Sequence, residues 1–336
     1  MSGIIFSEGS GLNNGLIGKR LAPIKAIINS NVEAFQQKSL IDKIYYMDTS
    51  KNWAENYTIE TALGNFQDVG EGGATPQSEM QEGFDKTIAP RVWKNKFVVT
   101  KEMMDDMKIG KIKSKANQFT TSYGRGRESY AARMLSGATQ AKVTFAGKTY
   151  DATCADGKPL FSVEHPSKTQ GAKFKQSNMF KAEFSQSILD QLQEKMQDFC
   201  DDDGNLLNVA PDTIIIPNSA KLKRAVFAAV GSELDPESNK NAMNFQLGLW
   251  NILIWPYMDK QIGGKDYVIL ADSKFLQDYM CLPFIDRVPL TVTRYTDQNT
   301  DDEVFKGYAR YGLGFNNWRG LCICGDGISS GTSLTA

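Results

Sequence analysis

Residues 64–90 hold Gly64, Gly70, Gly72, Gly73 and Gly83 and almost no side chain that could pack, yet they join two strand-like segments. In the first, Trp53, Tyr57, Ile59 and Leu63 alternate with Ala54, Asn56, Thr58 and Glu60, the period of a half-buried strand. In the second, Arg91 to Thr100, Trp93, Phe97 and Val99 fall on one side, which marks it as the return partner. Hairpin loops usually take about two to five residues. A connection this long and this poor in apolar groups cannot hold itself, so it is either disordered or clamped onto something else.

Its charge suggests what that is. Residues 60–89 carry six acids (Glu60, Asp68, Glu71, Glu79, Glu82 and Asp85) against one base, Lys86. Residues 91–127 reverse the sign, with ten bases against three acids; Lys108, Lys111, Lys113 and Lys115 cluster among them. The whole chain, 336 residues long, has a net charge of only -1. An acidic protrusion beside a basic root is therefore a local device, suited to head-to-tail contact between copies as well as to two solvated faces. The near-neutral balance also removes the simplest electrostatic case for a dedicated nucleic-acid binder.

Enzyme signatures fail one by one. There is one histidine, His165, set before Pro166 in a stretch punctuated by Gly157 and Gly171, which reads as a structural loop residue. Gly147-Lys148-Thr149 imitates the end of a phosphate loop, but Lys142 stands where that loop needs its first glycine. Gly124-Arg125-Gly126 has Ser129 in place of the third glycine of a dinucleotide fingerprint. Asp201-Asp202-Asp203-Gly204-Asn205 resembles a calcium loop, yet that alignment puts Phe199 and Ala210 at the end ligand positions, so a solvated acidic turn is expected. The cysteines Cys154, Cys200, Cys281, Cys322 and Cys324 lack metal spacing, and a reducing compartment suits them. No cofactor, metal or membrane span is expected, and a carboxylate-dependent enzyme is the remaining catalytic alternative.

Helical periodicity supplies the other elements. A helix is expected from Ile24 to about Leu40 on the recurrence of Ile27, Ile28, Val32 and Phe35. A longer one, Lys111 to Ser136, aligns Ala116, Phe119, Tyr123, Arg127, Tyr130 and Met134 on one stripe with Arg125 opposite. Gly124 and Gly126 weaken it at mid-length, each by about 1 kcal/mol relative to Ala. A third helix starts at Ser185 and ends at Asp203-Gly204. Thr213 to Ile216 is a buried strand stopped by Pro217, with Asn218 capping a helix through Val230; Gly231 to Asn244 is a polar loop. Leu249 to Trp255, Asp266 to Leu270, Val288 to Tyr295 and Val304 to Trp318 are further strands. Without a regular βαβ period the class is α+β.

This order of parts resembles the tailed-phage major capsid proteins of the Hong Kong 97-type fold, Mu-like major head subunits included. Three stretches carry the resemblance: Asp156-Gly157-Lys158-Pro159-Leu160-Phe161-Ser162 with His165-Pro166, Pro211 to Pro217, and Arg310-Tyr311-Gly312 with Asn317-Trp318-Arg319-Gly320. The resemblance implies an N-arm (1–47), an extended β-hairpin loop (48–100), a peripheral domain with a long spine helix (101–180), an axial domain (181–284) and C-terminal strands returning to the peripheral domain (285–336). It implies hexamers and pentamers closing an icosahedral shell around double-stranded DNA, held by weak non-specific contact. A portal, a separate scaffolding protein and a decoration protein are the further partners, and the virion, assembled in the host cytoplasm, is the location. An encapsulin-type compartment is the alternative within the fold. The expected contact residues are Asp68, Glu71, Glu79, Glu82 and Asp85 on the acidic side and Lys108, Lys111, Lys113 and Lys115 on the basic side. Gly124 and Gly126 are the expected bend point.

Overall fold

A computed structural model of the chain describes residues 17–60, 68–70, 73–75, 77, 82–106, 108–233 and 243–334. Two sheets organise it. In the first, Pro283–Thr296 and Glu303–Leu313 form a long antiparallel pair; Tyr46–Thr49 adds parallel to Pro283–Thr296, and Arg91–Val99 adds antiparallel to Glu303–Leu313. The expected pairing of Arg91–Val99 with the Trp53 segment is therefore corrected. Glu55–Glu60 pairs instead with Glu82–Ile88, inside the stretch read as a loop. The physical break is Ala89-Pro90, because a proline has no N–H to continue the hairpin ladder, and the chain passes there into the larger sheet.

The long helix, Ile109–Gly137, crosses one face of this sheet. Ala116, Phe119, Arg127, Tyr130 and Met134 of its stripe are buried, Tyr123 is half-buried and Arg125 is exposed, as the 3.6-residue period requires. Stacked ring pairs lie at this contact: Phe97 on Phe305 at 4.8 Å and Trp93 on Tyr311 at 4.9 Å. An N-terminal helix, Ile17–Gln36, begins and ends earlier than its apolar pattern suggested. Its Ile24 and Ile28 pack with Val99, Ala116, Phe119 and Phe305.

The second sheet has six strands in the order Asn251–Trp255, Thr213–Pro217, Tyr267–Ala271, Leu321–Gly325, Met179–Lys181, Thr332–Ser333. Thr213–Pro217 and Tyr267–Ala271 are buried at every position, the mark of strands covered on both faces. Val304 to Trp318 is not one strand. The ladder stops at Leu313, and a buried connection carries the chain to Leu321–Gly325 in the other sheet. Helix Gln186–Gln197 is capped as expected by Ser185, whose Oγ accepts from the Ile188 amide at 3.2 Å, but it ends at Gln197 instead of reaching Gly204. Helix Ala220–Gly231 is capped by Ser219, one residue later than expected; Asn218 instead accepts a hydrogen bond from Lys223. One apolar core, running in sequence from Ile41 to Ile328, joins the two sheets.

Candidate assembly surfaces

Two of the motif stretches, residues 156–166 and 317–320, meet in one buried knot. Asn178 donates through Nδ2 to the carbonyls of Leu160 (2.8 Å) and Leu321 (3.2 Å). Its Oδ1 accepts from the Ser162 amide at 2.9 Å and faces His165 Nε2 at 3.1 Å. The other ring nitrogen of His165 lies 2.6 Å from Asp156, and the ring stacks on Trp318 at 4.2 Å. His165 is 1% exposed, so both nitrogens are spent on structure. Behind Trp318, Arg319 bonds Asp202 at 2.9 Å and the Cys200 carbonyl at 2.8 Å. The acidic turn is thus not solvated: Asp202 is buried against Arg319, and buried Asp201 accepts from the amides of Asp203 and Asn205. Among the described residues no group of His, Cys, Asp and Glu could hold a metal ion, and no helix is long and apolar enough to cross a membrane.

The hairpin Glu55–Glu60 with Glu82–Ile88 is fixed at its root. Tyr57 donates to Asp48 at 2.5 Å, and burial with that carboxylate pushes the Tyr57 hydroxyl far up. Lys86 bridges to Asp151 and Thr153, both at 2.7 Å. Burial alone would raise Asp151, but hydrogen bonds from Lys86 and Thr153 bring its carboxyl below the ordinary range. Of the acidic contact candidates, Asp68 and Asp85 are exposed and Glu82 lies in register with Glu60, while Glu71 and Glu79 fall outside the described residues.

The basic candidates at the start of the long helix are not equivalent. Lys108 is exposed and pairs with Asp106 at 2.6 Å. Lys115 donates to the Val98 carbonyl at 2.7 Å and so serves the subunit's own fold. Lys111 is exposed and Lys113 half-buried. Gly124 and Gly126 also differ: a Cβ on Gly124 would collide with the ring of Phe35, whereas nothing lies within 4 Å of one on Gly126.

A further surface escaped the sequence reading. After the second sheet's helices, Asn244 and Gln246 point inward and Met243, Phe245, Leu247 and Leu249 outward, at 84%, 61%, 43% and 56% exposure. Gln246 donates to Asp190 (2.6 Å) and Gln193 (3.0 Å) and accepts from Trp250 (2.6 Å); Asn244 donates to the carbonyls of Ala229 (2.7 Å) and Ser232 (3.0 Å). Polar anchors thus hold an apolar ridge out into solvent, which marks an interaction surface. The signal was the period-two Met-Asn-Phe-Gln-Leu-Gly-Leu run, but periodicity alone does not say which set faces in.

A family model described as a phage capsid protein matches residues 83–324. The fold is similar to the capsid of a native GTA particle, at 11% identity and a TM-score of 0.52, over 85% of this chain and 89% of that one. It is similar also to a structure of Microbacterium phage Oxtober96, at 10% identity and a TM-score of 0.50, over 88% of this chain and 91% of that one. No curated protein matches the chain by sequence.

Proposed function

The chain belongs to the phage capsid protein family, with the Hong Kong 97-type fold, and from that premise we propose that it is the major head subunit of a tailed phage, assembling into hexamers and pentamers of an icosahedral shell around double-stranded DNA. Its role is structural. The observation within the chain that carries self-assembly is the apolar ridge Met243 to Leu249, which an isolated subunit would have no reason to hold outward on buried amide anchors.

In this reading residues 1–47 are the arm, 48–100 the extended loop, 101–180 the peripheral domain, 181–284 the axial domain and 285–336 the returning strands. Leu321–Gly325 of that last segment joins the six-stranded sheet beside Tyr267–Ala271 of the axial part, and Thr332–Ser333 joins it beside Met179–Lys181. The acidic hairpin, with Asp68, Glu71, Glu79, Glu82 and Asp85, docks across a subunit boundary onto basic residues of a neighbour. Lys108, Lys111, Lys113 and Lys115 are the candidates the sequence supplies. Gly124 and Gly126 let the spine helix bend in a compact precursor shell. A scaffolding protein, a portal and a decoration protein complete the assembly in the host cytoplasm, and DNA is held by weak non-specific contact.

Electron microscopy of the purified chain, alone and with a co-expressed scaffold, tests the reading. Closed shells are expected. Monomers under all conditions would refute it, and shells filled with a protein cargo would favour the encapsulin alternative.

A further inference from the structure

His165 faces an acceptor through each of its ring nitrogens. Asp156 Oδ2 lies 2.6 Å from Nδ1, and Asn178 Oδ1 lies 3.1 Å from Nε2. The amide of Asn178 cannot sit the other way round. Its Nδ2 faces the carbonyls of Leu160, Trp318 and Leu321, and its Oδ1 accepts the Ser162 amide hydrogen, so it is the oxygen that meets the ring. A neutral imidazole carries a single N–H. One of the two contacts would then press a bare nitrogen against an oxygen lone pair, in a place closed to solvent: the side chains of His165 and Asp156 are 0% and 3% exposed. Both contacts are attractive only when the ring holds two protons.

The surroundings suit a cation. The Asp156 carboxylate also accepts from the Lys158 amide at 2.9 Å, which holds its other oxygen in place. The indole of Trp318 stacks on the imidazole at 4.2 Å and offers the negative face of its ring. The other charges around the knot are matched elsewhere. Arg319, over the same indole at 5.0 Å, is paired with Asp202, and Glu164 is paired with Lys175 on the neighbouring strand. The Lys158 side chain is exposed. The buried Cys154 thiol is pushed well up, chiefly by burial and further by Asp156, and so adds no competing negative charge.

We infer that His165 is a buried imidazolium paired with the Asp156 carboxylate, and that its second proton locks the joint between residues 156–178 and the C-terminal strand Leu321–Gly325. Loss of that proton turns one attractive contact into a repulsive one. Asn178 must then swing away from the ring, and its bonds to the Leu160 and Leu321 carbonyls go with it. A histidine in an unfolded chain releases its proton near about pH 6.5. Above that value the folded chain binds one proton more than the unfolded chain, so stability falls as pH rises. Mild alkali is therefore the direction that opens the knot, opposite to the acid direction expected of a buried carboxylate pair.

His165 is the only histidine of the chain, so labelling with ¹⁵N-histidine puts a single ring into the nuclear magnetic resonance spectrum, whether the purified chain is a subunit or a particle. Near about pH 8, where a free histidine is neutral, both ring nitrogens should still carry a proton. A neutral ring there would overturn the inference. Asp156→Asn gives a second readout. Its Oδ1 can keep the Lys158 amide while its Nδ2 donates to His165 Nδ1, so a neutral ring with its hydrogen on Nε2 satisfies every contact. The variant should show that neutral ring. Per pH unit on the alkaline side, the folding equilibrium of the dissociated native subunit should fall by up to roughly tenfold more than that of the variant. Parallel pH profiles would count against the lock. If the variant does not fold, the spectrum of the native chain decides alone.

Discussion

The ring of Phe35, near the end of the N-terminal helix, fills the space that a side chain on Gly124 of the long helix would need. Two helices can approach this closely because one of them lacks a Cβ at the crossing. Two residues on, Gly126 has open space. The two glycines thus differ in what a side chain would meet, although they look alike in the sequence.

Alanine substitution should separate them. Gly124→Ala forces Phe35 to move and should destabilise the subunit by about 1 to 3 kcal/mol. Gly126→Ala meets nothing and should stabilise the helix by about 1 kcal/mol through propensity alone. Denaturant unfolding of the free subunit reads both, and shifts of the same sign would contradict the argument. Gly126→Ala also isolates flexibility from packing: if the pair is a bend point, this variant should give precursor shells that expand early.

Arg319→Leu removes the cation that faces buried Asp202 and should cost about 3 to 5 kcal/mol, because an uncompensated carboxylate remains inside. Lys108→Ala, which removes the exposed pair with Asp106, should cost at most about 1 kcal/mol. Equal effects in thermal melts would mean that the knot around Trp318 is not closed to water.

Glu303 should contribute to acid sensitivity. Hydrogen bonds from Arg294 hold its carboxyl below the ordinary range, with burial opposing and Thr296 assisting. A folded value below the unfolded one, about 4.3, means the pair contributes fully above the unfolded value and fades as pH falls through the folded one. The stability gap between the native chain and Glu303→Gln should therefore narrow on acidification. A gap that stays constant with pH would rule the pair out as the source.

What the sequence made legible was local. The stripe from Ala116 to Met134 needed only a period, and Ser185 needed only its place before an apolar run. Strand partnership is a different matter. Nothing near Arg91–Val99 says that its partner is Glu303–Leu313, although Pro90 was a signal that the hairpin had already closed. The acidic turn was misread for the same reason, since Asp202 meets its cation 117 residues away at Arg319. Lys96 and Lys306 belong to this class as well, since they become neighbours only through register. The apolar ridge was visible as a period, but its direction was set by amide anchors on a neighbouring helix.

The place of Leu321–Gly325 in the six-stranded sheet has a consequence for how the chain is made. It lies between Tyr267–Ala271 and Met179–Lys181 and pairs with both, so the sheet is completed from within by a strand translated after its two neighbours. A nascent chain shorter than about residue 320 leaves those two strand edges bare, and the Asn178 side chain has no Leu321 carbonyl to reach. Translation must therefore pass Gly325 before this sheet can close between its two earlier neighbours.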